Sequence, residues 1–557
     1  MFHALERRCE QEQVAQLFPN ILNENVLIDA LENTETLKGH GGCVNTLRWN
    51  RSGALLASGS DDRHVKIWRA GVEKVDIETQ HEGNVFAVEF LPSSNDRVLV
   101  TGAADHVIFM HDLETNTAKR WDSEGRIKRI CTVQQDPFLF WAASEYDKRV
   151  IELDTRIGDP VTVVQPGPTN PHKRHVKSVA VSEAKPNLLA VGFDETAVRL
   201  YDRRKFDEPI LSFAQLDAEY DSYHATHVAF NKLGTEVVVN QGHGGGVFVF
   251  SLDSSKDPNV MQRMHNVLGQ PRETTIYSAA LPHPELRQVG SDAIKERHFS
   301  RAIDYYAQLI RDNYPDRAFR SICHSNRAMA FLLRRSRGDT YACIRESVKA
   351  LEIHRGNTKA LFRLIKSLSS MEHVVLAKKC LETYKQWFPN DQGVIDRLTE
   401  EIAQIKESDG QPELQQAEGS VDYVQRFTGS TNHQTDIKEA NFFGSRDQFI
   451  VAGSDCGHMY IWSRDTSKLL GIWKADDHIL NICQPHPDLF LLATSGIEDD
   501  IRLWSPQLER ADEYVSRKVA DPYEFMEKKS EMGGFNAART QMQLLGLMRE
   551  SPQCVQS

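Results

Sequence analysis

The chain has 557 residues, of which 40% are hydrophobic and 26% are charged, and its formal net charge is −12. This length allows two or three domains with cores of their own, and the acidic balance excludes a general binder of nucleic acid or membrane surfaces, because such binders need a basic face. The nine cysteines include no C-x-x-C pair, which indicates reduced thiols and excludes a disulfide framework or a zinc site.

The N-terminal segment, MFHALERRCEQEQ, is charged and lacks the apolar stretch of a signal peptide. No part of the chain approaches the run of about 18 apolar residues that a membrane-spanning helix needs. We therefore expect a soluble protein of the cytosol and nucleus, with no membrane partner, no direct nucleic-acid partner, no cofactor and no metal.

A strand that ends in an aromatic or apolar residue recurs through the chain. Five such strands follow at intervals of 42 to 49 residues, a gap of 212 residues intervenes, and two more lie 42 residues apart. They end at Trp68, His111, Leu153, Tyr201, Phe250, Trp462 and Trp504. A repeat of ~40–45 residues with Gly-His and Trp-Asp elements is typical of a WD-type β-propeller with one four-stranded blade per repeat. The spacing predicts a seven-bladed all-β propeller, with blades 1 to 5 in 37–260 and blades 6 and 7 in 435–505.

The first two blades carry polar residues at matching positions. In WD repeats a His, a Ser or Thr, an Asp and a Trp form a hydrogen-bonded chain inside the blade, and leaving one of these buried groups unpaired costs ~1–3 kcal/mol. The matching residues are His40, Ser58, Asp62 and Trp68 in blade 1, and His81, Thr101 and Asp105 in blade 2, where His111 replaces the Trp. We predict that they stabilise the blades and take no part in catalysis.

After blade 5 the alternation typical of strands gives way to helical spacing. The marker residues Ala302, Cys343 and Ala377 lie 41 and 34 residues apart, and 34 is the tetratricopeptide period. The pattern predicts an all-α insertion after blade 5, with three tetratricopeptide repeats and a capping helix in 283–408. Polar composition predicts a linker over 409–434 and a loosely ordered tail with helical stretches over 506–557.

A propeller interrupted by a three-repeat helical stack is a rare combination. The most specific segments are GHGGCVN and LASGSDD within 39–62, TGAAD (101–105), AVRLYDRR (197–204), TDIKEANFFGS (435–445), and QPHP and FLLATSGI within 484–497. On these segments the chain resembles the family of WD and tetratricopeptide repeats proteins, the adipose homologues, over roughly 20–505. The resemblance implies a non-enzymatic substrate receptor that joins a cullin-4 ubiquitin ligase through the damaged-DNA-binding adaptor. It also implies a role in restraining fat storage and lipogenic transcription, with histones and a deacetylase as partners.

The motif that connects this family to the ligase is a W-D-x-R box at the end of a blade. It occurs here as Leu153-Asp154-Thr155-Arg156 and as Tyr201-Asp202-Arg203-Arg204, with the Trp replaced in both. An arginine just after the last strand residues projects from one face of the propeller. There its planar guanidinium can pair with carboxylate or carbonyl groups of an adaptor. We predict adaptor binding by Asp154, Arg156, Asp202 and Arg204; the alternative is a solvated turn arginine.

The resemblance also draws attention to the N-terminal unit, 1–36, which we expect to include the segment that closes the ring. Within it, Ala4–Phe18 has an apolar stripe that suits either a helix that docks on a partner or a helix that packs on its own propeller. The residues leave both interpretations open.

Some tetratricopeptide stacks hold the terminal carboxylate of an acidic peptide with basic and amide side chains in their concave groove. The aligned residues here are Arg287, Ser291, Asn326, Lys359 and Arg363. Lys359 and Arg363 are four residues apart and therefore share a helix face. Ser291 stands where Asn is expected and Arg287 where Lys is expected, so ordinary solvated surface charge is the alternative.

Catalytic signatures are scarce. His243-Gly244-Gly245-Gly246 resembles an esterase oxyanion loop, but the chain has no G-x-S-x-G nucleophile, so we predict a turn in blade 5. His224 and His227 lack partners at metal-ligand spacing, and Asp476-Asp477-His478 occupies the opening position of a blade. We therefore expect no enzyme. The alternative to a ligase receptor is a ligase-independent scaffold or corepressor that binds histones, deacetylases or chaperone tails.

Overall fold

The computed structural model describes residues 24–69, 71–92, 94–146, 148–157, 159–164, 175–195, 197–213, 224–243, 246–253, 260–272, 284–336, 338–405, 420–507 and 516–529. Within these residues, 29 strands form seven sheets, and eight helices lie between the third and fourth strands of the fifth blade. The predicted fold class, a seven-bladed WD propeller interrupted by an all-α tetratricopeptide-type insertion, is confirmed. No helix among these residues is both long and apolar enough to cross a membrane.

The first half of the ring begins with helix α1 (Glu24–Asp29) and strand β1 (Leu31–Leu37). Blade 1 contains β2 (Val44–Trp49), β3 (Leu56–Ser60), β4 (His64–Arg69) and β5 (Val72–Glu78). Blade 2 contains β6 (Val85–Phe90), β7 (Val98–Ala103), β8 (Val107–Asp112) and β9 (Thr117–Asp122). Blade 3 contains β10 (Ile127–Thr132), β11 (Leu139–Ser144), β12 (Arg149–Asp154) and β13 (Val161–Val164).

The second half follows the same antiparallel order. Blade 4 contains β14 (Val176–Val181), β15 (Leu188–Phe193), β16 (Val198–Asp202) and β17 (Leu211–Phe213), and blade 5 begins with β18 (Ala225–Phe230), β19 (Glu236–Gln241) and β20 (Gly246–Ser251). After the helices come β21 (Ser420–Val421) and β22 (Gln425–Phe427). Blade 6 contains β23 (Ala440–Phe443), β24 (Phe449–Ala452), β25 (His458–Ser463) and β26 (Leu469–Lys474), and blade 7 contains β27 (Leu480–Pro485), β28 (Leu492–Gly496) and β29 (Ile501–Pro506).

The ring is closed by the two ends of the propeller sequence. β1 pairs antiparallel with β29, with Leu31 opposite Pro506 and Leu37 opposite Ile501, so the N-terminal strand is the outer strand of blade 7. Inner strands are buried on both faces and therefore consist of apolar runs such as Val237–Val239 in β19, whereas the outer strand β5 is mostly exposed.

The centre of the ring is filled by ion pairs. The Nζ atoms of Lys128 in blade 3 and Lys177 in blade 4 lie 2.9 and 3.1 Å from the carboxylate of Asp436, which precedes blade 6. Arg129 in blade 3 pairs with the buried Glu439 at 2.5 Å. Because blades 3 and 6 are not neighbours in a seven-bladed ring, these pairs cross the central channel and join opposite sides of the propeller.

The insertion lies within blade 5, which corrects the prediction that it follows this blade. β22 pairs with β20 and supplies the outer strand of blade 5, while β21 pairs in parallel with β17 of blade 4. Both strands fall inside the predicted linker, 409–434. The polar composition there predicts a loop, and strands of two or three residues are too short to produce a visible alternation.

The inserted lobe consists of helix pairs. α2 (Val260–Leu268) comes first and lies outside the predicted repeat region; the remaining helices are α3 (Pro284–Lys295), α4 (Phe299–Arg311), α5 (Arg317–Arg334), α6 (Asp339–Ile353), α7 (Thr358–Ser370), α8 (Val374–Trp387) and α9 (Gln392–Ala403). Ala302, Ala328, Cys343 and Ala377 are fully buried where helices approach each other. Asp316 and Asn357 accept hydrogen bonds from the first turns of α5 and α7, which fixes where these helices begin.

The described part of the C-terminal tail, 516–529, packs on both lobes, and we call it the C-terminal strap. Lys518 forms a β-bridge with Trp473 of blade 6, and a helix follows at 522–529. The prediction of a loosely ordered tail with helical stretches misses the tertiary contacts of this segment. Its charged residues contact residues that are distant in the sequence, and local composition does not indicate such contacts. Residues 530–557 lie outside the described residues.

Candidate functional site

The polar residues of blade 1 form a continuous hydrogen-bonded chain. His40 Nδ1 lies 2.9 Å from Asp62 Oδ2, and His40 Nε2 lies 2.7 Å from Ser58 Oγ. Trp68 Nε1 donates to the same hydroxyl at 2.9 Å. Burial alone would raise the pKa of Asp62, but the hydrogen bonds from His40 and from backbone N–H groups hold it well below its usual range.

Blade 2 repeats this arrangement with a different last member. His81 contacts Asp105 at 3.0 Å through Nδ1 and Thr101 at 2.9 Å through Nε2. His111 Nε2 lies 3.0 Å from the Thr101 hydroxyl and so takes the place that an indole has in blade 1. The polar groups in both blades use their hydrogen-bonding capacity on each other inside the blade, which is a structural role.

The two Asp-x-Arg boxes have the same local geometry. Arg156 donates to Asp154 through Nε at 2.9 Å and Nη2 at 2.6 Å, and Arg204 donates to Asp202 through Nε at 2.9 Å and Nη2 at 2.5 Å. The arginine side chains remain 60% and 70% exposed. Each carboxylate thus holds a guanidinium in a fixed plane at the surface while leaving its outer edge accessible.

Both boxes lie on one face of the ring. They follow the third strands β12 and β16, and in a propeller with identical strand order all third strands end on the same face. Arg203, the middle residue of the second box, packs over the Trp141 ring at 3.9 Å and donates to Asp136 of blade 3 at 2.7 Å, so it joins blades 3 and 4.

Exposed apolar side chains surround the boxes on this face. Phe138 is 46% exposed and lies 4.8 Å from the Arg156 guanidinium, and Ile157 follows the first box directly with 64% exposure. Ile210 of blade 4 and Leu233 of blade 5 lie in turns on the same face and are also exposed. We call this surface the box face. Sequence reasoning missed its apolar members, because turn residues of different blades show no common spacing.

Three of the five predicted groove residues gather around one buried tyrosine. Ser291 and Asn326 hydrogen-bond to the Tyr306 hydroxyl, the latter at 3.2 Å, and the charge of Arg287 acts on the same group. Gly290 makes this possible, because a Cβ there would lie 2.4 Å from the Tyr306 ring. The Nε of Arg287 has no hydrogen-bond partner among the described residues.

The last two groove residues differ in exposure. Arg363 is only 8% exposed, and its Nη1 donates to the Ser325 carbonyl at 2.8 Å and to the Ser325 hydroxyl. Burial lowers the pKa of this guanidinium. Lys359, one turn earlier on α7, is exposed. The structure therefore places Arg363 in the contact between α7 and α5, and leaves Lys359 as a surface charge.

The histidines considered for catalysis or metal binding lie at blade 5. Burial lowers the pKa of His224 to about 4 and that of His227 to about 3, so both rings are neutral at pH 7. The His224 and His243 rings lie 5.0 Å apart, and Gly244 and Gly245 lie outside the described residues. Among the described residues, the one triplet with metal-ligand spacing lies elsewhere, at blade 7.

That triplet contains Asp476, His478 and Glu498, whose ligand atoms lie within 4.8 Å of one another. Arg502 donates to Glu498 at 2.6 Å, and the backbone N–H of His478 donates to Asp476 at 2.8 Å. Because a guanidinium already offsets the negative charge of this cluster, we assign it the structural role that its position at the opening of the blade predicts.

Comparison with known proteins agrees with this architecture. A WD domain, G-beta repeat model matches residues 31–69. WD and tetratricopeptide repeats protein 1 of Mus musculus is 32% identical over 87% of this chain and 86% of its own length. DDB1- and CUL4-associated factor 6 of Homo sapiens is 35% identical over 36% of this chain and 24% of its own length. The solved Cps50 (Swd1) β-propeller domain of Myceliophteria thermophila covers 86% of this chain and all of its own, with 13% identity and a TM-score of 0.46. The 32% identity with WD and tetratricopeptide repeats protein 1 over most of both chains shows that this chain belongs to the family of WD and tetratricopeptide repeats proteins.

Proposed function

We propose that the chain is a non-enzymatic receptor that links target proteins to a cullin-4 ubiquitin ligase through the damaged-DNA-binding adaptor. The observation that carries this proposal is the pair of Asp-x-Arg boxes, because Arg156 and Arg204 project from one face of neighbouring blades in the same bidentate geometry. The partial similarity to a DDB1- and CUL4-associated factor supports the same assignment.

The box face has the composition of a protein interface. Its arginines are held in place before any partner arrives, so less side-chain entropy is lost on binding than for a free side chain. Each guanidinium is already paired with the aspartate of its own box, which limits the desolvation free energy that is lost when a partner buries the arginine. The exposed Phe138 and Ile157 add apolar area beside Arg156, and aromatic residues and arginine are the types enriched in the centres of interfaces.

The helical lobe is the proposed location of target proteins. It leaves the ring after β20, a third strand, and therefore starts on the box face one blade beyond Arg204. The proposal includes action in the cytosol and nucleus, a role in restraining fat storage and lipogenic transcription, and histones, a deacetylase and acidic C-terminal peptides as binding partners. These finer assignments are supported by the family resemblance.

The test is co-purification of the adaptor with the full chain from cells. Replacing Arg156 and Arg204 together by Ala is expected to reduce the recovered adaptor at least about tenfold, because two arginine contacts of an interface centre are lost. Arg120→Ala is the matched control, since Arg120 is 58% exposed and pairs with Asp122 on the outer strand β9, away from the boxes. Adaptor recovery that is unchanged in the double variant would show that the boxes are not the docking site.

A ligase-independent scaffold or corepressor is the second candidate. The cluster around Tyr306 favours it, because this cluster offers polar side chains in the helical lobe without involving the propeller face. Binding of histones or deacetylase that persists when both boxes are removed and no adaptor is present would support this candidate. Hydrolysis of a model ester by the purified chain would contradict both non-enzymatic proposals.

A further inference from the structure

Cys456 occupies a position in blade 6 that carries an aspartate in blades 1 and 2. It lies six residues before Trp462, the last aromatic residue of β25. In blade 1 Asp62 stands at the same distance before Trp68, and in blade 2 Asp105 has this place. Burial alone would raise the pKa of both carboxyl groups, but hydrogen bonds from a histidine and from the backbone hold it below its ordinary value. Cys456 therefore lies where the blade architecture favours a negative charge.

Lys529 of the C-terminal strap supplies a cation at this position. The Cys456 Sγ lies 3.3 Å from the Ser454 hydroxyl and 3.9 Å from the Tyr460 hydroxyl. Lys529 Nζ lies 3.2 Å from each of these two hydroxyl groups and donates to the Gly429 carbonyl at 3.0 Å. In blades 1 and 2 the aspartate instead pairs with a histidine of its own blade. The thiol and the ammonium group thus share two hydroxyl neighbours and connect the strap to blade 6.

The Cys456 thiol is accessible and ionises near neutral pH. Its side chain is half-buried. Burial alone would raise its pKa, but the hydrogen bond from His458 and the charge of Lys529 lower the pKa to about 6. Cys131 is also half-buried, yet burial raises the pKa of its thiol well above the ordinary value. Because the thiolate is the reactive form of cysteine, Cys456 is expected to be much the more nucleophilic of the two.

The strap helix at 522–529 lies against the same part of blade 6. Phe525 packs on the His458 ring with 4.7 Å between the ring centroids. Phe525, Met526 and Cys456 are partly buried side chains at the border of one apolar cluster of blades 5 and 6. The Met526 sulfur is so close to Gly429 that a Cβ there would lie 2.6 Å from it. A group added to the Cys456 sulfur would therefore compete for space with the strap.

We propose that Cys456 is a modification site for electrophiles of the α,β-unsaturated carbonyl class, and that its alkylation releases the C-terminal strap from blade 6. The thiolate sulfur forms a bond to the β-carbon of the electrophile, the π electrons of the C=C bond move to the α-carbon, and the α-carbon takes up a proton from the solvent. The reaction has no leaving group and needs no oxidant. The product is an uncharged thioether, so the anion beside Lys529 is lost as well. This site does not depend on the proposed role as a ligase receptor.

The first measurement is the rate at which N-ethylmaleimide alkylates each cysteine of the full-length chain between pH 5 and pH 8, read by peptide mass spectrometry. At pH 7 Cys456 is expected to react at least about tenfold faster than Cys131. Its rate should reach half of its plateau near pH 6. Lys529→Gln is expected to raise this midpoint, because the cation that favours the thiolate is lost. If Lys529 only held the strap in place, the variant would change the plateau rate and leave the midpoint where it is.

The second measurement is hydrogen exchange of the backbone of 516–529 before and after alkylation. Exchange there is expected to become at least about fivefold faster in the alkylated chain, because a released segment loses its protection. Cys456→Asp is the matched control, since it restores the residue of blades 1 and 2, keeps a negative charge beside Lys529 and lacks the thiol. Cys456→Ser is a second variant without the thiol and is close in size to cysteine. In both variants the reagent is expected to leave the exchange of the strap unchanged.

Three results would overturn the assignment: reaction of Cys456 no faster than that of Cys131, an unchanged pH midpoint in Lys529→Gln, or unchanged exchange of the strap after alkylation of the original chain. Faster exchange of the strap when the reagent is added to Cys456→Asp and Cys456→Ser would also overturn it, because another cysteine would then be responsible.

Discussion

Tyr523 of the C-terminal strap donates a hydrogen bond of 2.7 Å to Asp304 in the first helical repeat. Nearby, Arg301 of the same repeat pairs with Asp521 at 2.5 Å. At the other end of the strap, Lys529 Nζ lies 3.2 Å from the Tyr460 hydroxyl in blade 6. Lys529 Nζ also donates to the Gly429 carbonyl at 3.0 Å, so the strap adds a second connection between the helical lobe and the propeller beside β22, where the chain re-enters the ring.

Removing the Tyr523 hydroxyl is expected to loosen this connection. Burial raises the pKa of Asp304, and Tyr523→Phe removes its side-chain donor and leaves only the backbone N–H of Leu469, which costs ~1–3 kcal/mol. We expect a lower midpoint of thermal unfolding and faster proteolysis between the lobes. Tyr305→Phe is the control, because Tyr305 lies on the same helix and its hydroxyl has no hydrogen bond among the described residues; an equal effect of both changes would contradict a role of the strap contact.

The stability of the propeller is expected to fall on mild acidification. Burial lowers the pKa of His111 to about 4, with the charge of His81 acting in the same direction, and burial lowers the pKa values of His224 and His227 to about 4 and about 3. An unfolded histidine has a pKa of about 6.5, so between pH 6.5 and 4 the unfolded chain binds more protons than the folded one. The contribution of these three histidines to stability is therefore complete above pH 6.5 and is lost as the pH falls, by about 2 kcal/mol per histidine at pH 5.

His111→Trp tests this pH dependence at one position. An indole there is expected to donate to Thr101 as Trp68 donates to Ser58 in blade 1, and it does not titrate. Urea unfolding at pH 7.5, 6.5 and 5.5 should show a smaller loss of stability on acidification than in the original chain. Parallel pH curves for the two proteins would contradict the assignment of His111 as one of the titrating groups.

Arg363 and Lys359 are expected to respond differently to the same substitution. Arg363→Ala removes the buried contact to Ser325 and is expected to lower the free energy of unfolding by ~1–3 kcal/mol. Lys359→Ala changes an exposed side chain and is expected to change it by less than about 0.5 kcal/mol. Thermal unfolding of both variants decides between a structural and a binding role for Arg363; a large effect of Lys359→Ala would contradict this division.

Periodic features of the molecule were predictable from the sequence, and features that depend on distant contacts were not. The repeat spacing predicts the propeller, and the 34-residue interval between Cys343 and Ala377 predicts the helical repeats, because each repeat buries a similar core. The outer strand β22 has three residues and shows no pattern, so the insertion was predicted one strand too late. The cleft between the helical lobe and the propeller is lined by residues from segments more than 200 positions apart, such as Arg311 and Met526. Only the packed fold brings these residues together.

Arg203 and Arg204 provide the sharpest separation between stability and binding, because two adjacent arginines in one box have opposite surroundings. Arg203→Ala removes the stacking on Trp141 and the hydrogen bond to Asp136 between blades 3 and 4, which is expected to cost ~1–3 kcal/mol of stability. Arg204→Ala breaks an exposed pair with Asp202 and is expected to change stability by less than about 0.5 kcal/mol. Adaptor co-purification should rank the two variants in the opposite order. Below the unfolding midpoint of the variant protein, Arg203→Ala is expected to retain the adaptor, whereas Arg204→Ala is expected to lose most of the bound adaptor. If the adaptor is lost in Arg203→Ala and retained in Arg204→Ala, the exposed guanidinium is not the contact, and docking depends instead on how blades 3 and 4 are held together.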